Sequence, residues 1–340
     1  MTSVGKYANI NAKVRAMKSS LLSEQDIKQL ANAENLTAFV SILRQKNYVF
    51  SQEHKKLQDA SVIEIEISKN RINRIKSVYK TAEGSIKNIV TMFLQKDEAE
   101  KAKSVLRQWN AGVDKIVPVY PFKILYDYQL SELLKAKSLE EIAGYFKHTP
   151  FGEVISGSVQ DFSKDKNMFF VETAIDKDII SRLTGASENL PDKDREIIRR
   201  ITGIETDLKN ILWVRRLKDY YDISPENAVK YILPGGVYFQ ASEIEDAVVR
   251  GRELELITEK RFTPEIRVSH KDEEGIYLLE EILKEALKNQ AEKCFKQYPF
   301  TIGSIVGFIT LLKLEEGMLK RALYTVALKS EKNITENQEL

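Results

Sequence analysis

Apolar residues recur along residues 195–221 at spacings of four, three, four and three positions. In an α-helix these spacings place the apolar side chains on one face, and the charged residues of the stretch fall mostly between them. The pattern therefore predicts a single long helix that buries its apolar face. The positions that define this face are Ile197, Ile201, Ile204, Leu208 and Ile211.

The chain contains this helical pattern three times. A shift of 108 residues towards the N-terminus aligns it with residues 87–109, and a shift of 110 residues towards the C-terminus aligns it with residues 305–327. Each copy carries an acidic residue at the same aligned position. Three similar segments at nearly equal spacing indicate an internal repeat. The three aligned acids are Asp97, Glu205 and Glu315.

Shorter helical patterns precede the long helices. Residues 30–48 and 133–151 share a rhythm of two short helices, in which Asn35 and Ser138 are suited to cap the second helix. A third copy, with gaps, is expected at residues 242–262. Each repeat should also contain one connecting helix, so the whole chain is predicted to be all-α. The connecting helices are expected at residues 51–80, 168–183 and 271–297.

Two breaks rich in proline and glycine separate the copies, at residues 110–122 and 222–239. Proline lacks the N–H group that a helix interior needs, and a glycine pair tolerates positive φ, so both breaks are suited to chain reversals. The sequence therefore predicts three helical domains, over residues 1–120, 121–236 and 237–340. The predicted boundary turns contain Pro118, Pro234, Gly235 and Gly236.

The composition argues against several classes of protein. The 52 Lys and Arg residues nearly balance the 50 Asp and Glu residues, whereas proteins that bind nucleic acids or anionic membranes usually have a basic excess. The single cysteine, Cys294, rules out an intrachain disulfide and suits a reducing compartment. The first residues contain no apolar h-region, and the apolar run at 300–312 is too short for a membrane span. We therefore expect neither a signal peptide nor membrane insertion.

The sequence contains no recognisable motif for catalysis or for cofactor binding. It has no glycine-rich loop of the kind that cradles phosphates, and its three histidines lie far apart, each in a different repeat. With only one cysteine, no metal-ligand spacing can be recognised. We therefore predict no catalytic residues, no cofactor and no metal site.

The recurrent acid is the sharpest polar feature of the sequence. Glu205 follows Ile201 by four residues and Ile198 by seven, so it lies on or beside the apolar stripe, where an unpaired carboxylate is costly. It could be a catalytic or ion-carrying group, or it could be structural and bonded to a helix terminus or an arginine of its own repeat. Repetition favours the structural interpretation, because a packing solution is copied together with its fold. The structural set that we predict is Asp97, Arg107, Glu205, Asn210, Arg215 and Glu315.

Four motifs, taken in order, carry a resemblance to a known family. They are the opening YANINAKVRAM at residues 7–17, the turn LPGG at 233–236, the acid–Asn–Arg motif of Asp207 or Glu205 with Asn210 and Arg215, and the ending FTIG at 300–303 followed by Lys313, Glu315 and Glu316. The ordered set, which covers residues 5–330, resembles the C subunit of the archaeal and bacterial V/A-type rotary ATPases, whose counterpart in the eukaryotic vacuolar enzyme is the d subunit. The first copy departs from the motif at Ala102, where the second has Asn210, and the third departs at Thr325, where arginine is found.

The resemblance implies both a fold and a function. The family fold consists of three similar helical domains around a pseudo-threefold axis, in a funnel shape. The implied function is mechanical and non-catalytic: the protein lies on the cytoplasmic face of the membrane rotor ring, receives the end of the central axle, and transmits torque for ATP-coupled H⁺ or Na⁺ transport. Its implied partners are the axle subunits and the rotor ring, with no nucleic acid and no direct insertion into the membrane.

Two other functions stay open on the sequence alone. The first is a helical-repeat scaffold that binds another protein or RNA; the near-neutral charge argues against RNA. The second is an all-helical enzyme that uses one of the three acids. It would require that changing one acid abolish activity while leaving the fold intact.

Overall fold

A computed structural model of the protein describes residues 3–165, 167–221, 224–252, 255–256 and 275–338. All regular secondary structure in these ranges is helical. The predicted all-α class is therefore confirmed for the described part of the chain.

The helices are numbered here in chain order. Two short 3₁₀ turns, His54–Gln58 and Val229–Tyr231, accompany them. The α-helices are α1 (Ser3–Lys18), α2 (Glu24–Ala31), α3 (Leu36–Gln45), α4 (Ala60–Thr81), α5 (Gly84–Asn110), α6 (Leu130–Leu133), α7 (Leu139–Tyr145), α8 (Gly152–Gly157), α9 (Val159–Asp165), α10 (Met168–Glu188), α11 (Asp192–Tyr221), α12 (Pro225–Ala228), α13 (Ala241–Arg250), α14 (Gly275–Lys296) and α15 (Gly303–Gln338).

Each predicted copy of the long-helix pattern lies within one continuous helix. Residues 87–109 fall in α5, residues 195–217 in α11 and residues 305–327 in α15. Four of the five positions predicted for the inner face of α11 are buried, and Ile197 is half-buried beside the fully covered Ile198. The period of the apolar residues was thus a sufficient signal for these helices.

The predicted helix caps are also confirmed. The side chain of Asn35 accepts a hydrogen bond from the N–H of Ala38 at the start of α3, and the side chain of Ser138 accepts one from the N–H of Glu141 at the start of α7. These contacts satisfy N–H groups that have no partner within the helix. Of the expected third pair of short helices, 242–262, the structure describes α13, and residues 253–254 and 257–262 lie outside the described residues.

The chain divides into two compact units. The first consists of Met1–Tyr128 together with Phe308–Leu340, and the second consists of Gln129–Gly307. The last helix therefore belongs, from Phe308 onward, to the unit that contains the N-terminal residues. The division into three domains at 120 and 236 stays a prediction.

In the first unit, α4 packs against both α1 and α5. Its apolar core is formed by α2, α3, the start of α4 and the part of α15 between Leu319 and Val326. The fully covered residues of this core include Leu30, Phe39, Leu43, Ile63, Leu319, Leu323 and Val326.

In the second unit, α11 is the helix with the most neighbours, because α10, α12, α13 and α14 all pack against it. The N-terminal end of α11 is also fixed by a polar contact: Asp194 Oδ1 accepts a hydrogen bond from the N–H of Ile302 at 2.9 Å. A helix that is surrounded in this way can anchor the loops that leave its neighbours.

Candidate functional site

The carboxylate of Glu98, on α5, holds the loop that follows this helix. Glu98 is fully buried. Its Oε1 accepts hydrogen bonds from the backbone N–H groups of Leu125 at 2.5 Å and Tyr126 at 2.8 Å, and its Oε2 accepts one from the Tyr128 hydroxyl at 2.9 Å. Lys101, one turn along α5, donates from Nζ to the carbonyl oxygen of Phe122 at 2.7 Å. Residues three apart share one face of a helix. One face of α5 therefore contacts both N–H and C=O groups of the loop.

Asp207, on α11, makes the corresponding contact in the second unit. Its Oδ2 accepts hydrogen bonds from the N–H groups of Val237 and Tyr238, both at 2.9 Å. Asn210, again three residues further on, donates from Nδ2 to the carbonyl oxygen of Leu233 at 3.0 Å, and its Oδ1 accepts from the N–H of Leu233 at 2.8 Å. Through these two hydrogen bonds Asn210 holds the backbone of Leu233, next to the predicted turn.

These two contacts match each other in a register that differs by one residue from that of the sequence alignment. The pair Glu98 and Lys101 matches the pair Asp207 and Asn210 at a common shift of 109 residues, whereas the alignment of Asp97 with Glu205 used a shift of 108. In the register of these contacts Lys101, rather than Ala102, aligns with Asn210. Apolar residues at spacings of three and four can be aligned in several registers, because each register matches similar buried side chains. An error of one residue in the alignment is therefore easily made. The signal that could have determined the register is an acid followed three residues later by Lys or Asn.

Glu315, on α15, is the third acid of this kind. Its Oε1 accepts a hydrogen bond from the N–H of Leu22 at 2.6 Å, and its Oε2 accepts from the hydroxyl of Tyr48 at 3.0 Å and from Arg74 at 3.1 Å. We expected each acid to be bonded within its own predicted domain. For Glu315 that expectation is wrong, because all three partners lie within residues 1–120. The reason is that α15 packs into the first unit.

In all three contacts, the backbone N–H partner of the acid lies shortly before the start of a short helix. Leu22 stands directly before Ser23, the N-cap of α2. Tyr126 and Tyr238 stand three and two residues before the N-caps of α6 and α13. Each acid therefore holds the chain just ahead of a short helix. We call these three contacts the loop fastenings of Glu98, Asp207 and Glu315.

Asp97 belongs to a buried ion cluster next to the Glu98 fastening. Arg71, on α4, donates two hydrogen bonds to the Asp97 carboxylate at 2.9 and 2.7 Å, and its Nε lies 2.6 Å from Glu316 Oε2. Lys320 completes the cluster, 3.2 Å from Glu316 Oε1. The partner of Asp97 is thus Arg71; Arg107, another member of the predicted set, is exposed, and its structural role stays a prediction.

The environments of these carboxylates set their pKa values. Burial alone would raise the pKa of Glu316, but the charges of Arg71 and Lys320 hold it below its ordinary value. Burial raises the pKa of Glu315, against the opposing effects of the Leu22 N–H group and Arg74. Burial also raises the pKa of Asp207, to about 6, although backbone N–H groups of residues 237–239 oppose the shift.

The glycines of the predicted boundary turn are required by the Asp207 fastening. Gly235 has a φ of +88°, which favours glycine. A Cβ atom at Gly236 would lie 2.1 Å from Asp207 Oδ1, and one at Gly203 on α11 would lie 2.0 Å from Val237 Cγ2. The linker between the Val229–Tyr231 turn and α13 can approach α11 only because these positions lack side chains. Pro234 lies within this linker, and Pro118 is buried in the loop that follows α5.

Two members of the predicted set lie outside the contacts described above. Glu205 is half-buried on α11, and its structural role stays a prediction. Arg215 lies in α11, and its side chain is outside the described residues.

The arrangement of these acids is suited to holding structure. Their oxygen atoms accept hydrogen bonds from backbone N–H groups, tyrosine hydroxyls and arginines. Within the described residues, no group of three or more His, Cys, Asp or Glu side chains could hold a metal ion. Among the described helices, none has an apolar stretch of the length that a membrane span requires.

Comparison with known proteins gives matches along nearly the whole chain. A family model described as "ATP synthase (C/AC39) subunit" matches residues 10–337. A protein named as the C subunit of the A-type ATP synthase from Methanosphaera stadtmanae is 24% identical over 327 residues, which cover 92% of this chain and 82% of the relative. Proteins of the same name from Methanocaldococcus jannaschii and Haloferax volcanii are 22% and 21% identical. The alignments cover 92% and 88% of this chain and 81% and 87% of those relatives.

Proposed function

The chain belongs to the ATP synthase (C/AC39) subunit family, and on this premise we propose that it is the non-catalytic C subunit in the central stalk of an A- or V-type rotary ATPase. In this proposal the protein links the rotor axle to the membrane rotor ring and transmits torque for ATP-coupled transport of H⁺ or Na⁺. It lies at the cytoplasmic face of the membrane and is held there by the ring.

The observation that carries the proposal is the length of the family match. Residues 10–337 match one family model, and relatives named as C subunits of A-type ATP synthases align over 92% of the chain. A match of this extent supports the proposal that the chain as a whole serves as this subunit. The name of the relatives identifies a subunit of an ATP synthase, and the torque-transmitting role is our inference for this chain.

The loop fastenings support the further proposal of three similar domains, 1–120, 121–236 and 237–340, around a pseudo-threefold axis. Glu98 of the first range holds the start of the second range, and Asp207 of the second holds the start of the third. Glu315 of the third range holds Leu22 of the first. A cyclic order of this kind is what three repeats around one axis require. An experimental structure in which residues 87–109, 195–217 and 305–327 occupied unrelated positions would contradict it.

A torque-transmitting protein must keep its helices fixed against one another under load. Buried, multiply bonded carboxylates suit this requirement, because removing one partner leaves a costly unpaired group. The Arg71 contact with Asp97 is of the bidentate type, which adds geometric specificity.

The proposal is tested by identifying what the protein binds. The full chain, carrying an affinity tag, is expressed in its own cells and purified from detergent-solubilised membranes, and the associated proteins are identified by mass spectrometry. We expect the catalytic head, the axle subunits and the ring protein of a rotary ATPase, each in fixed ratio to the tagged chain. Recovery of the tagged chain without ring and axle proteins would contradict the proposal.

A further inference from the structure

The three loop fastenings differ in the charges around their carboxylates. Burial lowers the pKa values of Lys101 and Lys76, and the charge of Glu98 opposes that lowering, so Glu98 has two cations close by. Glu315 has Arg74 at 3.1 Å. At Asp207 the position of Lys101 is taken by the neutral Asn210. In the described part of the chain, Asp207 makes no ion pair.

The second oxygen of Asp207 is also poorly satisfied. Oδ1 is buried and has no hydrogen-bond partner among the described residues. It faces Gly236, where no side chain can supply a donor. The linker itself contributes no charge, because residues 231–240 contain no Lys, Arg, Asp or Glu.

Several charged groups on the helices packed around α11 have partners other than Asp207. On α13, Glu243 accepts a hydrogen bond from the N–H of Gln240, and its negative charge adds to that of Asp207. On α12, Glu226 is exposed. The ion pairs that involve α10 and α14 are Asp176 with Lys209 of α11, Asp178 with Arg182, Lys284 with Glu280 and Glu281, and Lys288 with Glu285.

A buried carboxylate without a cation is costly, and the cost falls when the group binds a proton or reaches water. The raised pKa of Asp207, about 6, has the same origin. The linker residues cover Asp207, so moving them away from α11 would return the carboxylate to solvent. Ionisation therefore favours opening of the linker, and protonation favours its closed position.

We propose that residues 233–239 form a proton-sensitive hinge, which Asp207 holds more tightly in its protonated than in its ionised form. At neutral pH Asp207 is ionised. Opening this linker therefore requires less free energy than the loss of its hydrogen bonds alone would suggest. Glu98 and Glu315 differ from Asp207 in having cations close by, Lys101 and Lys76 at Glu98 and Arg74 at Glu315. The hinge lies at the predicted boundary between the second and third repeats.

Hydrogen exchange of the full chain tests the proposal. Protection of peptides that contain the Val237 and Tyr238 amides is measured by mass spectrometry at about pH 4.5 and about pH 7.5, and corrected for the intrinsic pH dependence of exchange. A difference of about 2 between the pKa values of Asp207 in the closed and open forms corresponds to at most about a hundredfold change in the opening equilibrium. We expect protection in the wild type to fall by about tenfold or more from the lower to the higher pH. In Asp207→Asn, which keeps the size of the side chain but cannot titrate, protection should be the same at both values.

The peptide that contains the Leu125 and Tyr126 amides is the internal reference. It reports any change in global stability, and it is measured in the same wild-type sample, so the test does not depend on the folding of Asp207→Asn. The proposal is overturned if the ratio of protection between the two peptides is independent of pH. It is also overturned if Asp207→Asn keeps the pH dependence of the wild type.

Discussion

The N–H group of Leu22 donates a hydrogen bond to Glu315 Oε1 at 2.6 Å, although 293 residues separate the two in the chain. The same carboxylate contacts Arg74, which also donates to the carbonyl oxygen of Met17 and the hydroxyl of Ser20. The last helix thereby fixes the turn that joins α1 to α2. The stability of the N-terminal segment should depend on a residue close to the other end of the chain.

Glu315→Gln tests this dependence. The substitution removes the charge that faces Arg74, and it leaves a partly buried guanidinium without its closest carboxylate. We expect a loss of about 2–4 kcal/mol in the free energy of unfolding, measured by urea denaturation. As a matched control, Glu132→Gln removes an exposed acid that pairs only with the exposed Lys135, and it should leave the midpoint nearly unchanged. Equal midpoints for the two variants would contradict the structural role of Glu315.

Arg71→Lys tests the buried ion cluster. Lysine keeps the positive charge, but it cannot form the bidentate contact with Asp97 while also reaching Glu316. We expect destabilisation of about 1–3 kcal/mol in the same assay. The control is Arg199→Lys, which changes an arginine that pairs with Glu196 on the exposed side of α11 and should cost little. If both substitutions cost the same, the geometry of the cluster does not matter for stability.

Gly236→Ala tests the close approach of the linker to α11. The added Cβ atom would lie 2.1 Å from Asp207 Oδ1, so either the linker or the carboxylate must move. We expect a fall in thermal stability equivalent to about 1–3 kcal/mol. The control is Gly185→Ala in α10, where a Cβ atom would meet nothing within 4 Å. That variant should be stabilised by about 0.5–1 kcal/mol, because glycine is unfavourable inside a helix. A Gly236→Ala variant as stable as the wild type would show that the linker does not contact Asp207 as described.

The pH dependence of stability should carry a contribution from Asp207. Its pKa in the folded chain, about 6, lies above the ordinary value of 3.8, so between these values the folded chain binds more protons than the unfolded chain. The stabilising contribution is therefore complete below about pH 4 and is lost as the pH rises through 6. Subtracting the pH profile of Asp207→Asn from that of the wild type should isolate a difference on the order of 1–3 kcal/mol. A difference of the opposite sign would mean that the backbone N–H groups outweigh burial at this site.

Local features of the fold could be predicted from the sequence, because local spacing determines them. The period of apolar residues located α5, α11 and α15, and a short polar side chain at the right position located the caps at Asn35 and Ser138. These signals depend only on residues a few positions apart.

The partners of the acids could not be predicted in the same way. Arg71 stands 26 residues before Asp97 on a different helix, and nothing in its local pattern distinguishes it from the other basic residues of α4. The contact between Glu315 and Leu22 depends on the packing of α15 into the first unit, which helical periodicity does not specify. The register between Glu98 and Asp207 needed the positions of the loops, because the apolar stripe alone accepts more than one alignment.

Torque transmission is tested most directly by measuring ATP hydrolysis and ion uptake on the same membrane vesicles, with and without this protein. We predict that vesicles lacking it retain ATP hydrolysis by the catalytic head but lose ATP-driven ion uptake, and that adding the purified chain restores uptake. The isolated chain should hydrolyse no ATP. Ion uptake that persists at full yield without the protein would contradict torque transmission by this chain.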